Sequence, residues 1–228
     1  MCSSDLNENF STSAIKYYNL SVRGSGNQTI YILEEGKDIG TFYGWKYLGL
    51  DETGKYIMDE QVDGVAGLTN ADWTYIGSAQ PKLTYGIYNS LTYKGFELSF
   101  FLRGVYGNDI LNITKMSRGT KLYLPGENVL RSSLTSNLSD NPRYCSYYIE
   151  KGSFLRMDNA SLSYTFDNIN LAGINRCRLY FTAQNLFVMT KYSGMDPEVS
   201  MDGLTPGLEF DTYVPKSRTF SLGINVSF

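Results

Sequence analysis

The sequence predicts an all-β protein, and three observations indicate antiparallel strands that each carry one apolar face. In residues 218–228 the apolar side chains occupy the even positions up to the final Phe228, and a repeat of two is the repeat of a β-strand. The 228 residues include 19 Tyr and 12 Phe, and aromatic residues are enriched in strands. Finally, short and long links alternate between successive predicted strands.

The N-terminal part predicts one strand within residues 14–24, a long segment over 25–82 and then a hairpin over 82–107. The hairpin strands meet at Lys94-Gly95, a link of two residues, as expected for a tight antiparallel turn. Both strands alternate apolar and polar side chains. Their apolar faces carry Tyr85, Ile87, Leu91 and Tyr93 on the first strand, and Phe96, Leu98, Phe100 and Leu102 on the second.

Two further strands are predicted over residues 153–166 and 176–187, with a polar turn of about ten residues between them. A long link around residues 107–152 precedes these two strands, and a second long link around residues 190–217 leads to the last strand. Its odd positions are small and polar, whereas its even positions are the apolar residues Phe220, Leu222, Ile224, Val226 and Phe228.

Alternation along single strands is open to two interpretations, a soluble antiparallel sheet or the wall of a membrane barrel. Outer-membrane barrels have short periplasmic turns and long external loops, whereas β-sandwiches follow no such rule. The alternating links therefore favour an antiparallel transmembrane β-barrel segment, with the even positions of the last strand facing lipid. About six strands are predicted, and closed bacterial barrels have at least about eight. We therefore expect the chain to supply part of a larger barrel.

Composition excludes several kinds of chemistry. The net charge is −3 without a basic block, so nucleic acid is not an expected partner. The chain contains no His, which excludes Ser-His-Asp and Cys-His nucleophiles and the usual zinc motif. The three cysteines, Cys2, Cys145 and Cys177, have unrelated spacings and are expected to be free thiols. We expect no cofactor, no metal and no catalytic residue.

Two alternatives to a barrel come from other functional classes. A secreted carbohydrate-binding β-sandwich would suit the aromatic content, but it gives no reason for the alternating links or the terminal aromatic residue. A two-carboxylate glycosidase needs an acid and a nucleophile or base flanking the substrate. The acidic residues of this chain cluster in loops and show no such pair.

Some residues are candidates for contact with a solute. Arg103, Arg156 and Arg178 either line a solute path or form ion pairs inside the barrel. The acidic residues of segment 50–73 are spaced too widely for an EF-hand-like calcium loop, so a solvated acidic loop is expected there. The candidates for stacking on a sugar, with packing in a loop core or girdle as the alternative, are Trp45, Tyr47, Trp73 and Tyr75.

From residue 76 onward the sequence resembles the C-terminal part of the SusC/RagA family of TonB-linked outer-membrane proteins, the nutrient importers of Bacteroidetes. Gly152-Ser153-Phe154-Leu155-Arg156, then Asn185-Leu186-Phe187 and Asp196-Pro197-Glu198, carry the resemblance most specifically. They lie within four stretches that occur in family order, 76–110, 147–166, 179–199 and 213–228.

The resemblance implies a bacterial outer-membrane protein with a signal peptide, an N-terminal plug with a TonB box and a barrel of about twenty-two strands. It also implies import of glycans or peptides with a SusD-like surface lipoprotein, and energy supplied through TonB. We expect residues 1–228 to be the C-terminal part of such a barrel, without signal peptide, plug or TonB box, and in contact with outer-membrane lipid. The terminal aromatic Phe228 would then belong to the signal that the barrel-assembly machinery recognises.

Overall fold

The computed structural model describes residues 14–22, 25–60, 64, 67–171, 173–201, 203–210 and 214–228. The chain divides into two compact units. The five-stranded unit comprises Lys82–Tyr106, Ser153–Lys191 and Val214–Phe228. The connection unit comprises the described residues of Met1–Pro81, Gly107–Gly152 and Tyr192–Tyr213.

Strands dominate both units, and no helix in the described part of the chain is long and apolar enough to cross a membrane. The strands are β1 (Ile15–Val22), β2 (Gly26–Leu33), β3 (Thr41–Gly44), β4 (Tyr47–Leu50), β5 (Tyr56–Met58), β6 (Thr74–Ser78), β7 (Leu83–Tyr93), β8 (Phe96–Tyr106), β9 (Asp109–Asn112), β10 (Ile149–Lys151), β11 (Phe154–Leu171), β12 (Ile174–Thr190), β13 (Leu208–Glu209) and β14 (Thr219–Ser227). The helices are α1 (Ile113–Arg118) and α2 (Arg131–Thr135), with 3-10 turns at Asn70–Asp72, Lys121–Tyr123 and Ser146–Tyr148.

The five-stranded unit is one antiparallel sheet in the order β14-β12-β11-β8-β7. The predicted first hairpin is confirmed, with Tyr93 paired to Phe96 across Lys94-Gly95. Lys94 and Gly95 both have positive φ, 45° and 87°. Two successive residues of positive φ match the right-handed twist of the flanking strands, which is why so short a link closes this hairpin.

The second hairpin is longer than the sequence indicated. Strand β11 continues to Leu171 and β12 begins at Ile174, so two residues separate the strands, where about ten were predicted. Ladder pairs such as Asp167 with Arg176 extend the sheet through the polar segment. Backbone pairing with a neighbouring strand is indifferent to side-chain polarity, so a polar stretch continues a hairpin that has already begun.

The N-terminal strand is present as β1, but it pairs with β2 in a four-stranded sheet of the connection unit, in the order β1-β2-β3-β6. Among the described residues the long antiparallel sheet therefore has five strands, where about six were predicted. The β1 sequence alternates like the other strands, and alternation does not specify which strand is its partner.

Short and long links alternate as predicted. The pairing of Leu83 with Tyr106 and of Phe154 with Thr190 places the ends of four strands at one end of the sheet. Both two-residue turns lie at the opposite end. All the long links therefore leave the sheet at the same end.

The long links fold into the connection unit with a hydrophobic core of their own. Its largest buried side chains include Tyr31, Tyr144 and Tyr148. The Tyr31 hydroxyl donates to the carbonyl oxygen of Pro206 at 2.6 Å, and the Tyr144 hydroxyl donates to that of Ile30 at 2.9 Å. Because these partners belong to three different links, the links fold together. Burial raises the pKa of the neighbouring Cys145 thiol to about 12, which keeps it protonated and unreactive.

Asn185 lies in an irregularity of β12, where the pairing with β11 shifts register between Met157 and Asn159. Its φ is 51°, a conformation that Asn tolerates better than most residues. The Asn185 side-chain amide donates to the carbonyl oxygen of Ser217 at 3.0 Å. The side chain thereby holds the segment that leads into β14.

Substitution of Asn185 separates the backbone requirement from the hydrogen bond. Asn185→Gly keeps the positive φ and loses the hydrogen bond, so we expect local opening of residues 217–220 to become easier by about 1 kcal/mol. Asn185→Val also opposes the positive φ, and we expect about 2–3 kcal/mol. Amide hydrogen exchange of these residues measures both changes. Equal effects of the two substitutions would contradict a backbone requirement at this position.

Candidate functional site

The four aromatic residues predicted as sugar contacts lie in the connection unit, in two separate groups of rings. Trp45, Trp73 and Tyr75 belong to one series of ring contacts that passes through Tyr43 of β3. Tyr47 belongs to the other group, with Tyr56, Tyr147 and Tyr148. The structure therefore does not bring the four candidates together in one patch.

Trp73 directly follows the 3-10 turn Asn70–Asp72, which fixes its position. Thr69 and Asp72 form a capping box, in which the backbone N–H of Thr69 donates to the Asp72 carboxylate at 2.8 Å. Trp45 packs edge-on against Trp73, with ring centroids 5.3 Å apart, and its indole N–H donates to the carbonyl oxygen of Thr69 at 3.1 Å. Trp73 is only 8% exposed, so its ring contributes to the interior of this unit.

Tyr75 is the exposed end of the same series of rings. Its side chain lies on β6 and is 45% exposed, and its ring packs edge-on against Tyr43 at 5.5 Å. The Tyr75 hydroxyl donates a hydrogen bond to the Glu34 carboxylate. That hydrogen bond, with burial and the negative charge of Glu34, raises the pKa of Tyr75 to about 12. The phenol is therefore neutral at physiological pH and presents an aromatic ring to solvent.

Tyr47 lies in a cluster of tyrosines around the 3-10 turn Ser146–Tyr148. Its ring is 5.0 Å from that of Tyr147, and its backbone N–H donates to the Ser146 hydroxyl at 2.9 Å. The hydroxyls of Tyr56 and Tyr148 are hydrogen-bonded to each other, and burial raises the pKa of both. These contacts are those of a packed loop core.

The apolar residues of the last strand lie on one exposed face of the five-stranded sheet. The same face continues across all five strands in directly paired rows. In the middle row every side chain is large, apolar and at least 38% exposed; the row is Leu91, Leu98, Leu162, Phe181 and Leu222. The residues of the last strand itself are 42–82% exposed; they are Phe220, Leu222, Ile224, Val226 and Phe228.

The other face of the sheet is polar. The row adjacent to the middle apolar row contains only hydroxyl side chains, Ser90, Ser99, Ser161, Thr182 and Ser221. On all five strands the side chains change from large and apolar in one row to hydroxyl-bearing in the next. This contrast indicates two different environments on the two faces of the sheet.

The three arginines singled out in the sequence lie on this polar face. Arg178 donates to the Glu97 carboxylate at 2.7 Å and to the Ser163 hydroxyl at 3.1 Å. Arg103 is ion-paired with Asp158, and Arg156 pairs directly with Arg103 in the ladder. The guanidinium of Arg156 lies 5.8 Å from the Phe154 ring centroid. Arg103 and Arg178 thus take part in ion pairs that run between strands.

Sequence reasoning missed a carboxylate that joins two of the long links. Glu150 of β10 accepts hydrogen bonds from the Ser193 backbone N–H at 2.9 Å and from the Ser193 hydroxyl at 2.8 Å. Its other partners are the Lys115 ammonium at 3.0 Å and the Asn112 amide at 3.4 Å. A single acidic residue in a short strand has no motif or spacing that would have revealed this cluster.

The described aspartates of the acidic segment 50–73 each have their own separate partners. Asp51 binds backbone and side-chain groups of its own turn, and these hydrogen bonds lower the pKa of its carboxyl. Asp59 pairs with Lys46 at 3.1 Å, and Asp72 caps a 3-10 turn. Asp63 lies outside the described residues. Within the described ranges, no group of three or more Cys, Asp or Glu side chains is arranged to hold a metal ion.

Several curated proteins are similar to this chain in sequence, although no family model matches it. TonB-dependent receptor P3 of Formosa agariphila is 30% identical over 229 residues, which cover 86% of this chain and 23% of the relative. TonB-dependent receptor SusC of Bacteroides thetaiotaomicron is 30% identical over 217 residues, which cover 89% of this chain and 21% of the relative. The chain thus spans roughly a quarter of the length of these relatives.

Solved structures of a peptide importer, RagAB, share the fold. The likeness to the open-open state has a TM-score of 0.68 at 24% identity and covers 96% of this chain and 25% of that chain. The likeness to the closed-closed state has a TM-score of 0.62 at 25% identity, over 89% of this chain and 26% of that chain. The predicted all-β fold, a segment of a larger barrel, is confirmed.

Proposed function

Because the chain belongs to the SusC/RagA-type TonB-dependent receptors, we propose that it forms barrel wall and external loops of an outer-membrane nutrient importer. The observation that carries this proposal is the sheet with one exposed apolar face and one polar face. A soluble protein would cover so large an apolar surface, whereas a membrane barrel turns it to lipid and encloses the polar face.

The height of the apolar face supports a lipid-facing wall. Tyr85 and Tyr93 are eight residues apart on β7, about 26 Å along a strand. That length covers most of the ~25 Å apolar band of an outer-membrane barrel, even when the strand is tilted. Near the two-residue turns lies a cluster of aromatic rings with centroids 4.5 Å apart, Phe96, Tyr164 and Phe166. Such rings suit the interface between lipid and water.

The links define the orientation in this proposal. Two-residue turns suit the periplasmic side of a barrel, and long links suit the external side. The connection unit is then an external folded part, and Phe228 lies at the periplasmic rim as part of the assembly signal. In this proposal the remaining wall, the plug and the segment that contacts TonB correspond to the part of the relatives' length that this chain does not match.

The relatives support a proposal for the solute and the partner. We propose import of glycans or peptides together with a SusD-like lipoprotein, since the relatives include SusC and the structural neighbours are RagAB importers. No catalytic role is proposed. The polar face, with its ion pairs between Arg103 and Asp158 and between Arg178 and Glu97, is assigned to the barrel interior.

Spin labels in a complete receptor carrying this chain test the proposed wall. Labels at Leu222 and Ile224 are expected to be relaxed by oxygen, which concentrates in lipid, and protected from a water-soluble nickel complex. Labels at Ser221 and Asn225, their neighbours on the opposite face, are the matched controls and should show less contact with oxygen. Equal access of the nickel complex to all four positions would refute a lipid-facing last strand.

A further inference from the structure

The five-stranded unit carries a large excess of positive charge. Its residues include nine Lys and Arg against three Asp and Glu, a net charge of +6, although the whole chain carries −3. Each of the three acids is ion-paired with an arginine of the same sheet; the pairs are Glu97 with Arg178, Asp158 with Arg103 and Asp167 with Arg176. The excess therefore resides in the other cations of the unit, which are Lys82, Lys94, Arg156, Lys191, Lys216 and Arg218.

Three of these cations directly flank strands at the end of the sheet where the long links leave, and we call them the cationic rim. Lys82 precedes β7, Lys191 follows β12 and Arg218 precedes β14. All three side chains are exposed, and none forms an ion pair with any residue that the structure describes. None of the three acids of the unit flanks a strand at this end. The rim thus has one sign of charge.

Hydrogen bonds fix the backbone beside each rim cation. The Lys82 N–H donates to the carbonyl oxygen of Tyr106 at 2.9 Å, which extends the pairing of β7 with β8. The Thr190 hydroxyl donates to the carbonyl oxygen of Ser153 at 2.9 Å and holds the chain just before Lys191. Ser217, just before Arg218, is held by Asn185. The three charges therefore start from defined positions on the sheet.

The exposed apolar face of the sheet reaches the cationic rim. Leu83 and Tyr106 are paired with each other directly beside Lys82, and each is more than half exposed. Met189 and Phe220 lie two residues from Lys191 and Arg218 along the chain, and both are again more than half exposed. Apolar surface and positive charge are therefore contiguous at this end of the sheet.

The height of the rim corresponds to the level of lipid head groups. Lys82 lies eleven residues from Tyr93, near the opposite end of β7, or about 36 Å along a strand. A strand tilt of about 40° reduces this length to about 28 Å across the bilayer, slightly more than the ~25 Å apolar band of a barrel. The ammonium group of Lys82 would then lie just outside the hydrocarbon, where lysine and arginine side chains meet head groups.

We propose that the cationic rim binds the phosphate groups of an anionic lipid in the external leaflet. A lipid matches both parts of the surface, since its acyl chains cover the apolar face while its phosphates accept hydrogen bonds from Lys82, Lys191 and Arg218. An acidic protein would match the charges but not the apolar face beside them. The inference rests on the proposed function, because only a membrane wall with the long links outside brings the rim to that leaflet.

Binding of lipid A, an acylated disaccharide with two phosphate groups, tests the rim in the complete receptor purified in detergent. Native mass spectrometry at low ionic strength measures the affinity. Lys82→Gln is expected to weaken binding about fivefold, and the double variant Lys191→Gln with Arg218→Gln about 25-fold. Both effects should shrink with added salt. The matched control is Lys94→Gln, which removes an exposed cation at the opposite end of β7 and should change the affinity less than about twofold.

Four outcomes overturn the proposal. The rim variants bind lipid A as tightly as the parent, or Lys94→Gln weakens binding as much as they do. Alternatively, the parent binds lipid A without phosphate groups equally well, or inorganic pyrophosphate at the same concentration displaces lipid A, which would indicate a site for free phosphate. If the rim variants lose binding of a SusD-like lipoprotein while lipid A binding is unaltered, the rim belongs to a protein interface instead.

Heat-modifiable migration of the same purified receptor reports a folded barrel and so tests the proposed function separately. A heat-modifiable receptor whose rim variants bind lipid A like the parent removes the lipid site and leaves the importer. A receptor without heat-modifiable migration counts against the importer, while the lipid A measurements still decide the rim.

Discussion

Replacing Leu162 with arginine is expected to destabilise the folded receptor in a bilayer by about 2–4 kcal/mol, the cost of an arginine at the lipid-facing midplane of a barrel. Leu162 lies in β11, the central strand of the sheet, in the middle apolar row. Its side chain is 49% exposed, so lost packing accounts for little of the effect. The cost comes from placing the guanidinium in hydrocarbon. Denaturant unfolding of the complete receptor from phospholipid vesicles measures it.

The neighbouring residue provides the matched control. Ser161 belongs to the same strand and pairs with Ser99 and Thr182 in the hydroxyl row of the polar face. Ser161→Arg adds the same side chain at almost the same height in the barrel and is expected to cost less than about 1 kcal/mol, since the barrel interior is wet. Equal costs at the two positions, or a larger cost at Ser161, would show that the apolar face does not contact lipid.

The sequence sufficed for the strands of the sheet because each strand has two environments. In β14 the even residues, from Phe220 to Val226, differ from the odd ones at every step, and that contrast arises from physical separation of the faces. The same contrast located the hairpin around Lys94. The extension of β11 to Leu171 was missed because it depends on the pairing partner, as shown by Asp167 opposite Arg176.

The connection unit could not be predicted, since its core depends on contacts between distant links. Tyr31 is buried because its hydroxyl finds the carbonyl oxygen of Pro206, 175 residues away in sequence, and burial without such a partner would cost several kcal/mol. Nothing in the sequence around either residue indicates the other. Among the aromatic candidates, the sequence likewise could not distinguish the buried Trp73 from the exposed Tyr75. Trp73 directly precedes β6 and Tyr75 lies within it, so their local sequence is nearly the same.

The second large effect is expected at Glu150, whose side chain is 15% exposed and joins two long links. Glu150→Ala removes the acceptor for the Ser193 N–H and hydroxyl and for the Lys115 ammonium. The substitution removes these charge-assisted hydrogen bonds and takes the Glu150 charge away from the partly buried Lys115 ammonium. We therefore expect the free energy of local opening around Ser193 to fall by about 3 kcal/mol. Exchange of the Ser193 amide hydrogen would then be about 150-fold faster.

The contribution of Glu150 is expected to disappear in acid. Burial acts to raise the pKa of its carboxyl, but the hydrogen bonds from Ser193 and the charge of Lys115 outweigh it, so the pKa lies below the ordinary value of 4.5. A carboxyl with a lowered pKa in the folded state stabilises that state above the ordinary value and loses its effect as the pH falls through the lowered value. The exchange difference between the parent and Glu150→Ala should therefore be full at pH 6 and shrink below about pH 4.5.

Two further variants identify the source of the effect. Glu150→Gln keeps the shape and one acceptor oxygen but loses the charge. The protection of the Ser193 amide, taken relative to its intrinsic exchange rate at each pH, should therefore lie between the values for the parent and Glu150→Ala and depend little on pH. Glu52→Ala removes an exposed acid of the same unit and should leave Ser193 unchanged. If Glu150→Ala leaves the Ser193 amide as protected as in the parent, the contacts of Glu150 do not hold the two links together, and their association depends on the hydrophobic core alone.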